Sequence, residues 1–91
     1  MKAFRWDSEK NLQLQKERRV SFEQVLTAME RGSLLDVVEH PNRKKYANQR
    51  LFIVKLRGYA YIVPFVETEN EIFLKTIIPS RKATQKYLSG E

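Results

Sequence analysis

Apolar residues recur along this chain with two different periods, and the change of period divides it. Phe22, Val25, Leu26 and Met29 follow the i, i+3, i+4, i+7 spacing that gives a helix one buried face. Ser21, with Gln24 three residues on, forms a capping box ahead of them, and Val20 supplies the hydrophobic staple. Gly32 stops this helix as a C′ residue. Upstream, Phe4-Arg5-Trp6 reads as a short strand, and Asp7 as the N-cap of a helix over about residues 8–18. Glu9 lies in its first turn, where the helix dipole favours an anion. That helix has a thin apolar pattern, Leu12 and Leu14, so most of it is expected to face water.

Strand-like segments follow. Leu34 to Glu39 reads as a strand ended by His40-Pro41-Asn42, and a basic loop, Arg43-Lys44-Lys45-Tyr46-Ala47-Asn48, leads into a second from Gln49 to Leu56. Arg57-Gly58 is the turn of a hairpin whose return strand is Tyr59 to Glu67. Pro64 inside it cannot donate to a ladder, which predicts a bulge or an edge there. Thr68-Glu69-Asn70 turns the chain into a fourth strand, Glu71 to Ile78, with Ile72, Leu74, Thr76 and Ile78 on one side. Pro79-Ser80 ends it, and Ser80 caps a short final helix through Leu88. Two N-terminal helices, an antiparallel sheet of about four strands and a C-terminal helix give an α+β architecture, with helices on one face of the sheet.

Composition narrows the function classes. The 91 residues, 1–91, make one domain. With no cysteine, neither a disulfide framework nor a Cys-based metal site can form. The N-terminus lacks the apolar core of a signal peptide, and the longest apolar stretch, Tyr59 to Val66, is too short to span a bilayer. A cytoplasmic location and no membrane partner are the expectation. The net charge of +6 favours an acidic partner, such as nucleic acid.

The last segment concentrates that charge. Lys75, Arg81, Lys82 and Lys86 fall within a stretch that contains no acid. Arg81 and Lys82 occupy the first turn of the final helix, where each cation opposes the dipole at a cost of about 0.3–1 kcal/mol. A local rule broken without structural gain marks a candidate site. Free backbone N–H groups, the Ser80 and Thr84 hydroxyls and the two cations together make a phosphate receptor. The competing reading is a solvated terminal helix carrying incidental surface charge. Lys75, by alternation, shares a face with Phe73 and Ile77; it lines a cleft beside the last helix or guards the sheet against aggregation. Arg50 and Lys55 fall on opposite faces, so at most one can join it. His40, the only histidine, is a candidate general acid or base, although its place before Pro41 reads as a surface loop. Tyr46 and Tyr87 can stack on bases or donate to phosphate; for Tyr87, packing beside Ala83 is the alternative. No P-loop, metal-ligand spacing or nucleophile elbow is present, so no metal or other cofactor is expected.

Three blocks of the sequence resemble the BrnT family of toxins. Phe4-x-Trp6-Asp7-x-x-Lys10-Asn11 is similar to that family's opening. Val20-Ser21-Phe22-Glu23 is similar to the start of its second helix. Ile77-Ile78-Pro79-Ser80-Arg81-Lys82-Ala83-Thr84, followed by Tyr87, is similar to its closing strand and helix. The resemblance implies a RelE-like fold and the toxin of a type II toxin–antitoxin pair, acting as a metal-independent endoribonuclease. It also implies a ribbon-helix-helix antitoxin (BrnA-like) that carries the contact with operator DNA. Arg81 and Tyr87 match the pattern. Three positions depart from it: Phe65-Val66-Glu67 stands where the family carries an arginine, Gln85-Lys86 where it has a glutamate, and Arg18-Arg19 where it has histidine-glycine. RNA carries its own nucleophile, the 2′-hydroxyl. On this reading Arg81 stabilises charge on the phosphate with Lys75 and Lys82 assisting, Lys86 holds flanking phosphates, and Tyr87 or His40 transfers protons. A non-catalytic RNA- or protein-binding module with the same fold is the alternative.

Overall fold

A computed structural model describes residues 2–90. The elements in chain order are β1 (Ala3–Arg5), α1 (Ser8–Arg18), α2 (Phe22–Glu30), β2 (Leu34–Glu39), β3 (Gln49–Leu56), β4 (Tyr59–Glu67), β5 (Glu71–Leu74), β6 (Ile78–Pro79) and α3 (Arg81–Leu88). One sheet carries all six strands in the order β1-β5-β4-β3-β2, with β6 also paired to β4. The α+β expectation holds, but the sheet is mixed rather than antiparallel. β1 pairs with β5 in parallel, Phe4 opposite Ile72.

Local chemistry explains the helix ends. Asp7 caps α1 by accepting from the Glu9 N–H. The capping box at Ser21 is complete, with Gln24 reaching back to the Ser21 N–H. At the end of α1, Arg19 adopts φ +56°, a left-handed conformation that favours glycine. The Arg57-Gly58 turn has positive φ at both residues, the requirement of a type I′ hairpin.

The helices do not share one face of the sheet, contrary to the expectation from sequence. Phe52, Val54, Leu56, Val63, Phe65, Leu74 and Ile77 point toward α1 and α2 and pack with Leu14, Val20, Phe22 and Val25. Leu51, Ile53 and Ala60 point the other way and pack with Ala83 of α3. β3 and β4 are thus covered on both sides, and Phe52 stacks on Phe65 with ring centroids 3.8 Å apart. Truncating a fully buried phenylalanine such as Phe65 to alanine costs about 3–5 kcal/mol.

The predicted fourth strand, Glu71 to Ile78, is broken, and Pro64 is the reason. The Pro64 carbonyl accepts from the Lys75 N–H at 2.8 Å, so the backbone of Pro64 faces β5. Its missing N–H therefore falls on that side and leaves the ladder incomplete. Leu74 pairs with Phe65 and Ile78 with Ile62, so Lys75, Thr76 and Ile77 oppose only Val63 and Pro64. This is the bulge that Pro64 predicted. The extra residue reverses the alternation: Ile77 turns into the core and Ile78 is 40% exposed. Ile72, Leu74, Thr76 and Ile78 therefore do not share a side, and Lys75 stays with Phe73 but not with Ile77. The Ile77 carbonyl accepts from the Arg18 guanidinium at 2.6 Å.

Candidate nucleic-acid interface

The sheet face that carries α3 is built from cross-strand rows. Val38 pairs with Leu51, Leu51 with Pro64, and Lys75 bonds to Pro64, so these four form one row. A neighbouring row runs Asp36, Ile53, Ile62, Ile78. A third runs Gln49, Val66, Phe73, Arg5. Rows lie side by side with strands about 4.8 Å apart. α3 crosses this face from Ala60 of β4 to Asp36 of β2 and leaves a groove of about 300 Å³ alongside itself. Leu51, Ile53, Ile62 and Val38 form its apolar floor, and Lys82 and Lys86 stand on its rim.

α3 is fixed by side chains that sequence reasoning placed on a ligand. Ser80 Oγ accepts from the Ala83 N–H at 3.0 Å, as the N-cap of α3. Thr84 Oγ1 donates to the Ser80 carbonyl at 2.8 Å and accepts from the Ala60 N–H at 2.9 Å. The Ser80 hydroxyl caps α3 and the Thr84 hydroxyl ties α3 to β4, so both are used within the fold and the cationic side chains remain as the candidate anion-binding groups. Arg81 and Lys82 are exposed and make no hydrogen bond or ion pair among the described residues. Lys75 is exposed, with its ammonium 5.5 Å from the centre of the Phe73 ring. Lys86 lies over the Tyr87 ring at 5.3 Å.

Tyr87 has a partner that the sequence did not disclose. Its hydroxyl donates to Asp36 Oδ2 at 2.6 Å, and Asp36 Oδ1 accepts from the Val37 N–H. The bond to Asp36, with some burial, raises the Tyr87 hydroxyl above the ordinary phenol value. The same bond holds the Asp36 carboxyl below its ordinary value, helped by the Val37 N–H. Tyr87 thus anchors the end of α3 to the edge strand β2. The available signal was an acid, Asp36, set between apolar residues on both sides of it in β2.

His40 is not gathered into this site. Its ring lies against that of Tyr46, tilted by 33° with centroids 4.4 Å apart, and its Nδ1 accepts from the Asn42 N–H at 3.0 Å. Asn42 in turn accepts from the Lys45 N–H and, through its carbonyl, from the Tyr46 N–H. The basic loop is therefore an ordered turn that presents Arg43, Lys44 and Lys45 to solvent. Neither strand cation joins Lys75. Arg50 pairs with Glu67 and lies over Phe65 on the opposite face, and Lys55 stands in register with Ala60.

Acids on the α3 face are already matched. Asp36 holds Tyr87, and Glu71 pairs with Arg5 at 2.9 Å. The arrangement is a cationic helix laid on an apolar sheet face, able to hold a polyanion that also presents apolar surface. No protein-family model matches the chain, and no curated protein or solved structure matches it significantly. Among the described residues, no helix is long and apolar enough to cross a membrane.

Proposed function

We propose that this protein binds RNA on the α3 face and acts as the toxin of a type II toxin–antitoxin pair, a metal-independent endoribonuclease of RelE-like fold. The observation that carries RNA binding is the pairing state of the charges. Among the described residues Arg81 and Lys82 have no partner at the start of α3, while Asp36 and Glu71 on the same face are each bound to another side chain. The toxin reading adds the three BrnT-like sequence blocks and their order along the chain. A ribbon-helix-helix antitoxin would neutralise the protein and carry any contact with operator DNA.

In this mechanism the 2′-hydroxyl of RNA loses its proton to water and attacks the adjacent phosphorus, the P–O5′ bond breaks as the 2′,3′-cyclic phosphate forms, and the leaving 5′-oxygen takes a proton from water. Arg81 offers a planar pair of donors to the phosphate as negative charge develops. Lys82 and Lys75 add positive potential, and Lys86 holds a flanking phosphate. Fixed donors of this kind contribute about 10²–10³ in rate each. Tyr87 serves better as an anchor than as a proton donor, because its proton is held by Asp36.

That last point favours a second reading, a binding module without chemistry. The two proton-transfer candidates, Tyr87 and His40, are each occupied within the fold. One experiment separates the readings. Induced expression arrests growth, and purified protein cleaves RNA in the presence of EDTA, if the first holds. RNA binding without cleavage supports the second. Cleavage at an unchanged rate by Arg81→Ala, with its fold intact, contradicts the assigned site.

A further inference from the structure

The two tyrosines that sequence reasoning offered as base-stacking platforms are both engaged, Tyr46 by His40 and Tyr87 by Asp36. A third aromatic occupies the same face as the α3 cations. Phe73 is partly exposed on β5, opposite Val66 of β4 and Arg5 of β1. Its neighbour Leu74 is fully buried against α1 and α2, so alternation turns Phe73 to the α3 side. Lys75, two residues on, keeps to that side because the Pro64 bulge begins only after it. Its ammonium stands 5.5 Å from the Phe73 ring centre.

From this placement we infer that Phe73 is a stacking platform for one unpaired base of a single-stranded RNA, with Lys75 on the phosphate beside it. The inference rests on the proposed RNA-binding reading of the α3 face and adds a subsite to it. The charge pattern selects the occupant. Between Lys75 and Leu88 the chain has four cations and no acid, and the acids nearest in the rows, Asp36 and Glu71, are already bonded. A strand of phosphates matches that field. Its bases match the apolar ground between the cations: Phe73, Val66 and the exposed Ile78. Base–aromatic stacking tolerates any base sequence but requires the base to be unpaired. A duplex offers phosphates to Lys75 and Lys82 and leaves Phe73 uncovered.

Stacking and ion pairing separate by their response to salt. Fluorescence anisotropy with a labelled single-stranded RNA of mixed sequence, and with the matching duplex, measures both. Phe73→Leu is expected to weaken single-strand binding on the order of ten-fold and to leave the salt slope unchanged. Lys75→Ala is expected to lower the slope of log affinity against log salt by about 0.7. Phe73→Tyr retains a ring and keeps the affinity. Wild-type protein should lose affinity for a probe abasic at one position, and Phe73→Leu should be indifferent to that lesion. The abasic scan of the wild type decides the matter even if Phe73→Leu fails to fold. Wild-type RNA binding with no sensitive abasic position, or with equal affinity for the duplex, overturns the stacking site and leaves the RNA-binding reading standing. No RNA binding by the wild type, or capture of an acidic protein on this face instead, overturns both.

Discussion

Asn11 is the buried polar side chain on which the packing of α1 against α2 turns. It is 6% exposed; its Oδ1 accepts from the Phe22 N–H at 2.9 Å, and its Nδ2 donates to Glu23 Oε1 at 2.8 Å. Phe22 is fully buried and stacks on Trp6 at 5.5 Å. In Asn11→Ala the Phe22 N–H loses its acceptor in a dry environment, which costs about 1–3 kcal/mol. Glu23 is exposed and recovers water, so its lost bond adds about 0–1 kcal/mol. The expected loss is about 2–3 kcal/mol, or on the order of 10–20 °C in Tm for a domain of this size. Asn11→Asp keeps the acceptor but sets a second carboxylate beside Glu23. The bond from Asn11 holds Glu23 below its ordinary value, so its stabilising effect is present above about pH 4 and fades as pH falls further. In Asn11→Asp the sign reverses, and stability rises as acid protonates one of the pair. Urea unfolding followed by the single Trp, Trp6, which reports on this cluster, measures both variants. A change under about 0.5 kcal/mol in Asn11→Ala, within the range of an ordinary surface substitution, would contradict this role for Asn11.

Three further outcomes follow from particular contacts. Thr84→Val leaves the buried Ala60 N–H without its acceptor and should cost about 1–3 kcal/mol in thermal unfolding, with faster hydrogen exchange at Ala60. Arg19→Gly relieves a left-handed conformation while leaving the Arg19 carbonyl free to accept from Arg57, and should stabilise by about 0.5–1 kcal/mol in urea unfolding. The Tyr87–Asp36 bond stabilises between the two titrations: Asp36, lowered when folded, loses its effect as pH falls below about 4, and Tyr87, raised when folded, loses its effect above about 10. Tyr87→Phe should therefore lie below the wild type by a constant margin across neutral pH and converge with it at both extremes.

Local signals carried much of the fold. The capping box at Ser21, the type I′ turn at Arg57-Gly58 and the bulge at Pro64 are each written in neighbouring residues. Pairings between distant segments were not legible. Nothing in Ala3–Arg5 announces a parallel partner in Glu71–Leu74, and that pairing makes the sheet mixed. The side on which α3 lies depends on the phase of β3, which is apolar on both faces and so carries no alternating signal. The bulge was foreseen at Pro64, but its consequence across the ladder, the reversal between Ile77 and Ile78, was not.

The candidate site divides in the same way. The free cations of α3 were visible because they break the dipole rule. Ser80 was legible as the cap of α3 from its neighbours, but the roles of Thr84 and Tyr87 were not, since each depends on a partner elsewhere in the fold, Ala60 or Asp36. Two of the BrnT-like blocks also have a structural meaning. Trp6 and Asn11 of the first grip Phe22 of the second, by stacking and by a hydrogen bond. Those residues hold α1 on α2, and the third block carries Arg81 and Lys82 of α3. The Arg18-Arg19 pair has its own account: Arg18 donates to the bulge carbonyl of Ile77, and Arg19 accepts the strain of ending α1.

The most direct test is the affinity of the Arg81→Ala/Lys82→Ala double variant for single-stranded RNA, measured beside the wild type across a range of salt. Two phosphate contacts at the start of α3 require the affinity to fall at least ten-fold near physiological salt and the slope to drop by about 1.4. A double variant that stays folded and binds RNA with the affinity and slope of the wild type would contradict the placement of RNA on this face.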